Sequence, residues 1–414
     1  MNRVSLFVLV VHLVGSASCA DRDLSQLSPS QAKEERVQIE LAINRDIDIL
    51  FVVDNSGSMS EEQQSLAANF PQFMDVLSQI DGGLPNVHIG VISTDMGTLG
   101  VSTGDTACEN PGDRGHLTIN NCTGIHGNFL IDVDSDGDGT RDGINYDGDL
   151  AQAFACMAQL GDTGCGFEQP LAAMRAALAP DHPTNQGFLR PSAHLAVIFL
   201  ADEDDCSARD PSLFAPDSPA MGPLDSFRCF EHGIVCDQDA SGDPNDERQV
   251  GARTHCRPDE DSAMLESVQA YVDFVKALRP GPNQDVFVAG IIGNPDPVAV
   301  QLRTPAGGGA PRPDLAPSCS YQGPLGAQTA DPAIRIKHLL DQFPGTSTFT
   351  SICDDDLTDA LQQIAQAMTV LFGNPCLHGN LVDTDPDSAG VQPDCAVSYV
   401  TTSPDATQVE TALP

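Results

Sequence analysis

The sequence predicts an α/β fold, in which a doubly wound, mostly parallel sheet is flanked by helices and carries disulfide-tied loop insertions. Short segments that are apolar throughout, such as 195–200, alternate along the chain with amphipathic helical segments. Strands buried on both faces have this composition, because helices cover both sides of a parallel sheet. Hydrophobic residues make up 41% of the 414 positions, which is sufficient for a large core.

Each element is predicted from its hydrophobic period and its end signals. The expected strands are 47–53, 87–93, 195–200, 286–292 and 347–352. The first expected helix begins at Ser60, and the later ones cover 149–160, 167–179, 263–278, 332–342 and 357–372. Ser60 with Gln63 predicts a capping box at the start of the first helix, and Pro71 predicts a kink within it. We expect 98–148 and 203–262 to be irregular insertions and 294–330 to be a Pro- and Gly-rich loop.

The N-terminal segment indicates export. Arg3 precedes an apolar run, 4–14, that is too short to span a bilayer, and small residues lead to Cys19. We therefore interpret 1–19 as a secretory signal of the bacterial lipoprotein type, with lipid on Cys19, and 20–44 as a flexible polar tether. Plain cleavage after Ala20 is the alternative. Both leave 12 of the 13 cysteines, an even number that can pair fully in an oxidising compartment.

The strongly negative net charge of the chain limits the kinds of partner that we expect it to bind. The chain has 59 acidic against 20 basic residues, a net charge of −39. Such a surface repels the phosphates of nucleic acids and anionic lipids, so we expect no nucleic-acid partner and membrane contact only through an N-terminal lipid anchor. The expected location is the outer membrane or cell surface, or otherwise the periplasm or the medium. The acidity suits a protein that holds divalent cations, although solubility alone is a sufficient reason for it.

The most informative motif follows the first predicted strand. Asp54, Ser56 and Ser58 place one carboxylate and two hydroxyls on a tight turn. Ligands of parallel sheets bind at the carboxyl ends of the strands, and Mg²⁺ prefers oxygen ligands. The alternative is an ordinary turn with a capping serine.

This motif resembles the first loop of the metal-ion-dependent adhesion site in von Willebrand factor type A and integrin I domains. The family's second loop provides a Thr before a helix, and Thr163 takes that place within 161–166. Its third loop provides an Asp after the central strand, where this chain has Asp202, followed by Glu203 in place of the usual Gly. The resemblance covers about residues 46–372 of an expected domain at 45–372, and the two insertions interrupt it. It implies Mg²⁺ (or Mn²⁺) bound by Asp54, Ser56, Ser58, Thr163 and Asp202.

The same resemblance implies a binding module whose protein ligand completes the coordination of the cation with an acidic side chain, and the N-terminal segment predicts that it lies on a bacterial cell surface. We expect no enzyme. A strand ending in Asp also opens haloacid-dehalogenase-type phosphatases, but these need a second Asp two residues on, where this chain has Ser56. Zinc-protease and phosphate-loop motifs do not occur in the sequence, and its Gly-x-Ser-x-Gly pattern at 100–104 lies in an expected insertion rather than between a strand and a helix, as a nucleophile elbow requires. The alternatives are a structural subunit of a surface assembly and, less favoured, a hydrolase with an unrecognised site.

The segment 134–145 matches the Asp-x-Asp-x-Asp-Gly pattern of Ca²⁺ loops, with Gly139 at the sharp turn. The expected ligands are the side chains of Asp134, Asp136, Asp138 and Asp142 and the backbone carbonyl of Thr140. Asn145 stands where an EF-hand has a bidentate Glu, which predicts weak, extracellular-type binding. The alternative is a solvated acidic loop.

Proximity in the sequence suggests how the cysteines pair. The expected bridges are Cys108–Cys122, Cys156–Cys165, Cys206–Cys256, Cys229–Cys236, Cys319–Cys353 and Cys376–Cys395. The last of these would tie a short C-terminal extension, 373–414. Zinc binding is the rival interpretation of the cysteines, but the sequence contains no Cys-x-x-Cys.

Overall fold

The computed structural model describes residues 44–372 except 81, 109–110, 220, 238–247, 281–284, 306–307, 324–325 and 355–356, and the backbone of 398–402 and 408–412. The predicted signal, the tether, Cys19 and the pair Cys376–Cys395 lie outside these residues. Within them, no helix combines the length and the apolar composition that a bilayer span requires.

The elements alternate along the chain as the sequence predicts. The helices are α1 Ser60–Ser78, α2 Leu150–Met157, α3 Pro170–Ala177, α4 Phe227–Gly233, α5 Val268–Leu278, α6 Ile334–Asp341 and α7 Thr358–Met368, with short 3₁₀ turns at Pro211–Phe214 and Thr369–Phe372. The strands are β1 Asp46–Val53, β2 Asn86–Ser93, β3 Leu130–Val133, β4 Gly143–Ile144, β5 His194–Ala201, β6 Ile234–Val235, β7 Gly251–Arg253, β8 Arg257–Pro258, β9 Val286–Ile292, β10 Val298–Arg303, β11 Arg312–Leu315, β12 Cys319–Gly323, β13 Gly326–Ala330, β14 Ser347–Ser351, β15 Ser398–Thr402 and β16 Gln408–Ala412. Helix α1 continues through Pro71.

The central sheet has seven strands in the order β14-β9-β5-β1-β2-β3-β4. The first five pair in parallel, and β3 and β4 extend the sheet with antiparallel pairs. The predicted mostly parallel α/β sheet is therefore confirmed. In the register of the two central strands, Val53 of β1 lies opposite Leu200 of β5. The residues that follow these two strands therefore emerge together at one edge of the sheet.

Both faces of the sheet are covered, because successive side chains of a strand point to opposite faces. On β1, Ile49 and Phe51 pack into a core with α1, α2 and α7, whereas Leu50 and Val52 pack into a second core with α3, α5 and α6. The Phe51 ring lies 4.7 Å from that of Phe154 of α2. The helices thus fix the sheet from two sides and leave its carboxyl edge free for loops.

The segment 294–330, which we expected to be a loop, contains four strands. Strand β10 pairs antiparallel with β11 and β7, and β12 pairs with β13 as a hairpin. Val298 and Val300 of β10 pack against Phe227 and Phe230 of α4, which gives the second insertion a small core of its own. The sequence did not predict these strands, because the segment is rich in Pro and Gly and each strand is too short for its apolar alternation to be recognised.

The cysteine pairing corrects most of the prediction. The observed bridges are Cys108–Cys165, Cys122–Cys156, Cys206–Cys229, Cys236–Cys256 and Cys319–Cys353. The predicted Cys319–Cys353 is confirmed, whereas Cys108–Cys122, Cys156–Cys165, Cys206–Cys256 and Cys229–Cys236 are wrong. Cys108–Cys165 and Cys122–Cys156 form because the first insertion folds back onto the segments around α2 and α3, whereas Cys206–Cys229 and Cys236–Cys256 both lie within the second insertion. Spatial neighbours rather than sequence neighbours then decide which thiols meet.

Candidate cation-binding site

Two buried carboxylates meet at the carboxyl edge of the sheet. Asp54 follows β1 and is 0% exposed, and Asp202 follows β5 and is 7% exposed. The amide of Asp54 donates a hydrogen bond of 2.9 Å to the carbonyl of Leu200, which aligns the two strand ends. One oxygen of each carboxylate, Oδ2 of Asp54 and Oδ1 of Asp202, is buried without a hydrogen-bond partner. A buried carboxylate oxygen in this state is compensated either by a proton, which Asp54 and Asp202 can share in a hydrogen bond, or by a cation.

The first loop turns its oxygen atoms toward this pair. The Ser56 amide donates to Oδ1 of Asp54 at 2.7 Å, which fixes the carboxylate on the turn. The Ser56 and Ser58 hydroxyl oxygens are 3.3 Å apart, and the Ser58 hydroxyl hydrogen-bonds to Asp202. Four of the five residues predicted for the adhesion site are therefore gathered in one place.

The electrostatics of this place favour a cation. Burial raises the pKa of Asp54 well above its usual value, and the negative charge of Asp202 raises it further. Burial also raises the pKa of Asp202, against the lowering effect of its hydrogen bond from Ser58. Two ionised carboxylates so close together repel each other, and a divalent cation between them would reverse that repulsion. The donor set of carboxylate and hydroxyl oxygens fits Mg²⁺.

The predicted second loop lies beside the first. The Gly164 amide donates to the carbonyl of Asn55 at 2.8 Å. A side chain at position 164 would collide with Asn55, because a Cβ there would lie 2.3 Å from its Oδ1. Glycine therefore permits the close approach of the two loops. Thr163 is exposed on this loop, and its role as a ligand stays a prediction.

Gln63 holds the two loops together, which corrects the predicted capping box. Helix α1 begins after Met59 without a side-chain cap. The Gln63 side chain is buried, and its Nε2 donates to the carbonyls of Asp54 at 2.8 Å and Gly161 at 2.9 Å. Its Oε1 accepts from the Gly161 amide at 3.0 Å. One amide side chain thus bridges the backbones of both loops.

Sequence reasoning missed three further acidic residues near this edge. Glu168 precedes α3, Glu203 follows Asp202, and Asp331 precedes α6, with its amide donating to the Asp202 carbonyl at 2.8 Å. Burial raises the pKa of all three carboxyls, that of Asp331 to about 7. No spacing rule connects positions so far apart, so only the fold reveals the group.

The predicted Ca²⁺ loop is largely exposed and joins β3 to β4, the last strand of the central sheet. Carboxylate oxygens of Asp134, Asp136 and Asp138 lie within 4.8 Å of one another. Asp142 instead accepts from the Ser135 amide at 2.9 Å and hydroxyl at 2.7 Å. Asn145 closes the base of the loop, since its Oδ1 accepts from the Ile131 amide at 2.7 Å. Three of the predicted side chains are thus brought together, while the roles of Thr140 and Asp142 as ligands stay predictions.

Comparisons with known proteins give little further information. No protein-family model matches the chain, and no curated protein matches it. Among solved structures, the chain is similar to the pilus adhesin SpaC from Lactobacillus rhamnosus GG in an open conformation, at 12% identity and a TM-score of 0.31. The alignment covers 79% of this chain but 30% of the adhesin. A likeness of this size carries no argument about ligands.

Proposed function

We propose that this domain is a binding module that holds a divalent cation, Mg²⁺ or Mn²⁺, through Asp54, Ser56, Ser58, Thr163 and Asp202, and that it recognises an acidic side chain of a protein ligand. The observation that carries the proposal is the buried pair Asp54 and Asp202, each with an unpartnered oxygen at the carboxyl edge of the sheet. The expected absence of enzymatic activity and the position on a bacterial surface belong to the same proposal.

The chemistry of the ligand set supports recognition of an acid. Hydroxyl ligands are neutral, so a cation bound by them retains more positive charge than one enclosed by carboxylates alone, and an outside carboxylate is attracted to it. The task of the protein is to hold the oxygens in place. The Ser56 amide fixes Asp54, and Gln63 fixes the backbone of both loops.

The disulfides support an extracellular setting. Five bridges join described segments, and such density is typical of oxidising compartments. Cys108–Cys165 ties the first insertion to the end of the second loop, three residues before Glu168. The loop is thereby braced independently of any ligand.

Capture from bacterial surface extracts tests the proposal. The immobilised mature chain is compared in Mg²⁺ and in chelator, together with Asp54→Asn and the control Asp75→Asn. Asp75 is exposed on α1, so its change removes the same charge away from the site. We expect a set of proteins to be retained in Mg²⁺ by the wild type and the control, and to be lost with chelator or with Asp54→Asn.

The captured protein then tests the recognition chemistry. Replacing its interface Asp and Glu residues with Asn and Gln, one at a time, should abolish binding at one position. If chelator and Asp54→Asn leave every captured protein bound, the site does not mediate binding. If no acidic residue of the ligand matters, recognition does not involve a carboxylate.

A further inference from the structure

A small cavity lies next to the candidate cation-binding site, and five acidic residues line it, namely Glu168, Glu203, Asp204, Asp205 and Asp331. Glu168, Glu203 and Asp331 come from the segments before α3, after β5 and before α6. The cavity volume is about 20 Å³, close to what one buried water or ion needs. Its other walls include Ser226, Phe227, Phe230, Leu315 and Pro332. A cavity of this size excludes an organic ligand and accommodates an ion.

Glu168 is the residue that most needs a partner. Its side chain is 1% exposed, it lines the cavity, and its Oε1 has no hydrogen-bond partner. Burial raises its pKa well above the usual value, and the negative charge of Glu203 raises it further. Burying a charged carboxylate without compensation costs folding free energy. Glu168 therefore needs either a proton on its carboxylate or a cation beside it.

The other charged groups around the cavity are already engaged. Asp204 accepts hydrogen bonds from the first amides of α6, including that of Arg335 at 2.8 Å. Asp205 forms an ion pair with the Arg335 guanidinium at 3.1 Å. The positive charge of Arg303 interacts with Asp331 and Glu203, but its guanidinium is hydrogen-bonded to Asp314. These contacts leave an excess of negative charge at Glu168, Glu203 and Asp331.

We propose that this cavity binds one Ca²⁺ ion through the carboxylates of Glu168, Glu203 and Asp331. Ca²⁺ accepts six to eight oxygen ligands in irregular geometry, at about 2.3–2.6 Å, whereas Mg²⁺ demands a near-ideal octahedron. Ligand oxygens of these three residues do not all lie within 4.8 Å of one another, as those of Asp134, Asp136 and Asp138 do, so the side chains would have to move closer together around the ion. Water and the Ser226 hydroxyl, which already hydrogen-bonds to Glu203, would complete the coordination.

This site is separate from the pair at the sheet edge, because Asp54 and Asp202 do not line the cavity. It would connect three segments that are distant in the sequence, and one of them is the loop that begins with Asp202. Bound Ca²⁺ would therefore brace the third loop of the candidate adhesion site. The inference does not depend on the proposed function, since none of its three ligands belongs to the set proposed for the Mg²⁺ site.

The test measures Ca²⁺ in a chain from which the other candidate sites have been removed. The parent is the full mature chain with Asp54→Asn, Asp136→Ala and Asp138→Ala. We expect elemental analysis and calorimetry to find one Ca²⁺ per parent chain, and expect added Glu168→Gln to remove it or to raise its Kd by about tenfold or more. Glu260→Gln, which removes an exposed carboxylate, is the matched control and should retain the ion.

Thermal unfolding of the same chains shows whether the variant is folded. Without Ca²⁺, Glu168→Gln should have a Tm at least equal to that of the parent, because it removes a buried charge that lacks a partner. Added Ca²⁺ should raise the Tm of the parent and of the control more than that of Glu168→Gln. The inference is overturned if the parent binds no Ca²⁺, or if Glu168→Gln binds it as the parent does. Failure of the Asp54 site cannot produce either result, since Asp54 is already replaced.

Discussion

At the scale of single residues, Gln63 shows how one buried side chain serves two loops. Its position three residues after Ser60 predicted a local capping role. The structure gives its amide three hydrogen bonds to the backbone of Asp54 and Gly161 instead. The sequence alone does not distinguish these outcomes, because the partner at 161 is 98 residues away and is brought near by the fold.

Replacing Gln63 with Ala should therefore loosen the candidate site. The change leaves the Asp54 carbonyl and the Gly161 amide and carbonyl without this partner, and we expect the free energy of unfolding to fall by about 1–3 kcal/mol. The affinity for Mg²⁺ should fall as well. Gln64→Ala is the control, since Gln64 bonds within its own helical turn, and should change stability by less than about 0.5 kcal/mol. If urea denaturation gave the two variants the same free energy of unfolding, Gln63 would not bridge the two loops as described.

The burial of His88 leads us to expect that the stability of the fold depends on pH, independently of the candidate cation-binding site. It is buried on β2 with Nδ1 2.9 Å from the Phe188 carbonyl, and burial, followed by the charge of Arg190, lowers its pKa to about 4. Below pH 6.5 the unfolded chain therefore binds a proton that the folded chain does not. Stability is consequently lost as the pH falls from about 6.5 toward 4.

The variant His88→Asn tests this directly. Between pH 6.5 and 4.5 the free energy of unfolding of the wild type should fall by about 2 kcal/mol more than that of the variant. The reason is the difference between the pKa values of His88 in the folded and the unfolded chain. Neighbouring Asp48, whose pKa burial raises to about 6, stabilises the folded state at low pH in both chains. Parallel stability profiles of the two chains would show that His88 is not held neutral.

At the scale of elements, the predicted Ca²⁺ loop around Asp134, Asp136 and Asp138 forms the tip of a hairpin at the edge of the sheet. Strands β3 and β4 pair antiparallel, with Asp132 opposite Ile144 and Val133 opposite Gly143. The sequence predicted candidate Ca²⁺ ligands on this loop but neither of the two strands. The strands are four and two residues long, too short for a period-2 pattern to be recognised.

Ca²⁺ should protect this loop from proteolysis. The oxygens of Asp134, Asp136 and Asp138 already lie within 4.8 Å of one another, so like charges repel until a cation binds. We expect protection with a midpoint of about 10⁻⁴–10⁻³ M Ca²⁺, the range of weak extracellular sites. Asp136→Ala should lose the protection, whereas Asp54→Asn should keep it. Identical cleavage in millimolar Ca²⁺ and in chelator would make this an ordinary acidic loop.

At the scale of the whole molecule, the sequence predicts what depends on local composition. The central strands β1, β5 and β9 are buried along nearly their whole length, so their apolar runs indicated both the strands and the parallel sheet. The loop after β1 was recognisable because Asp54, Ser56 and Ser58 are adjacent in sequence. In each case the signal lies within a few residues.

Features that join distant segments were not predictable in the same way. Cys108 pairs with Cys165 across 57 residues, because the first insertion folds back on the second loop. Glu168 and Asp331 meet at one cavity although neither belongs to a recognisable motif. Tertiary packing alone decides such neighbours.

The proposed function requires above all that Asp54 and Asp202 bind a cation. Isothermal titration of the mature chain with Mg²⁺ is the decisive measurement, with circular dichroism to show that each variant is folded. The wild type and Asp75→Asn should bind Mg²⁺, and Asp54→Asn and Asp202→Asn should each lose one bound ion while retaining the fold, because each removes a repelling charge from a buried pair. Wild-type Mg²⁺ affinity in folded Asp54→Asn, or no Mg²⁺ binding by the wild type, would contradict the account.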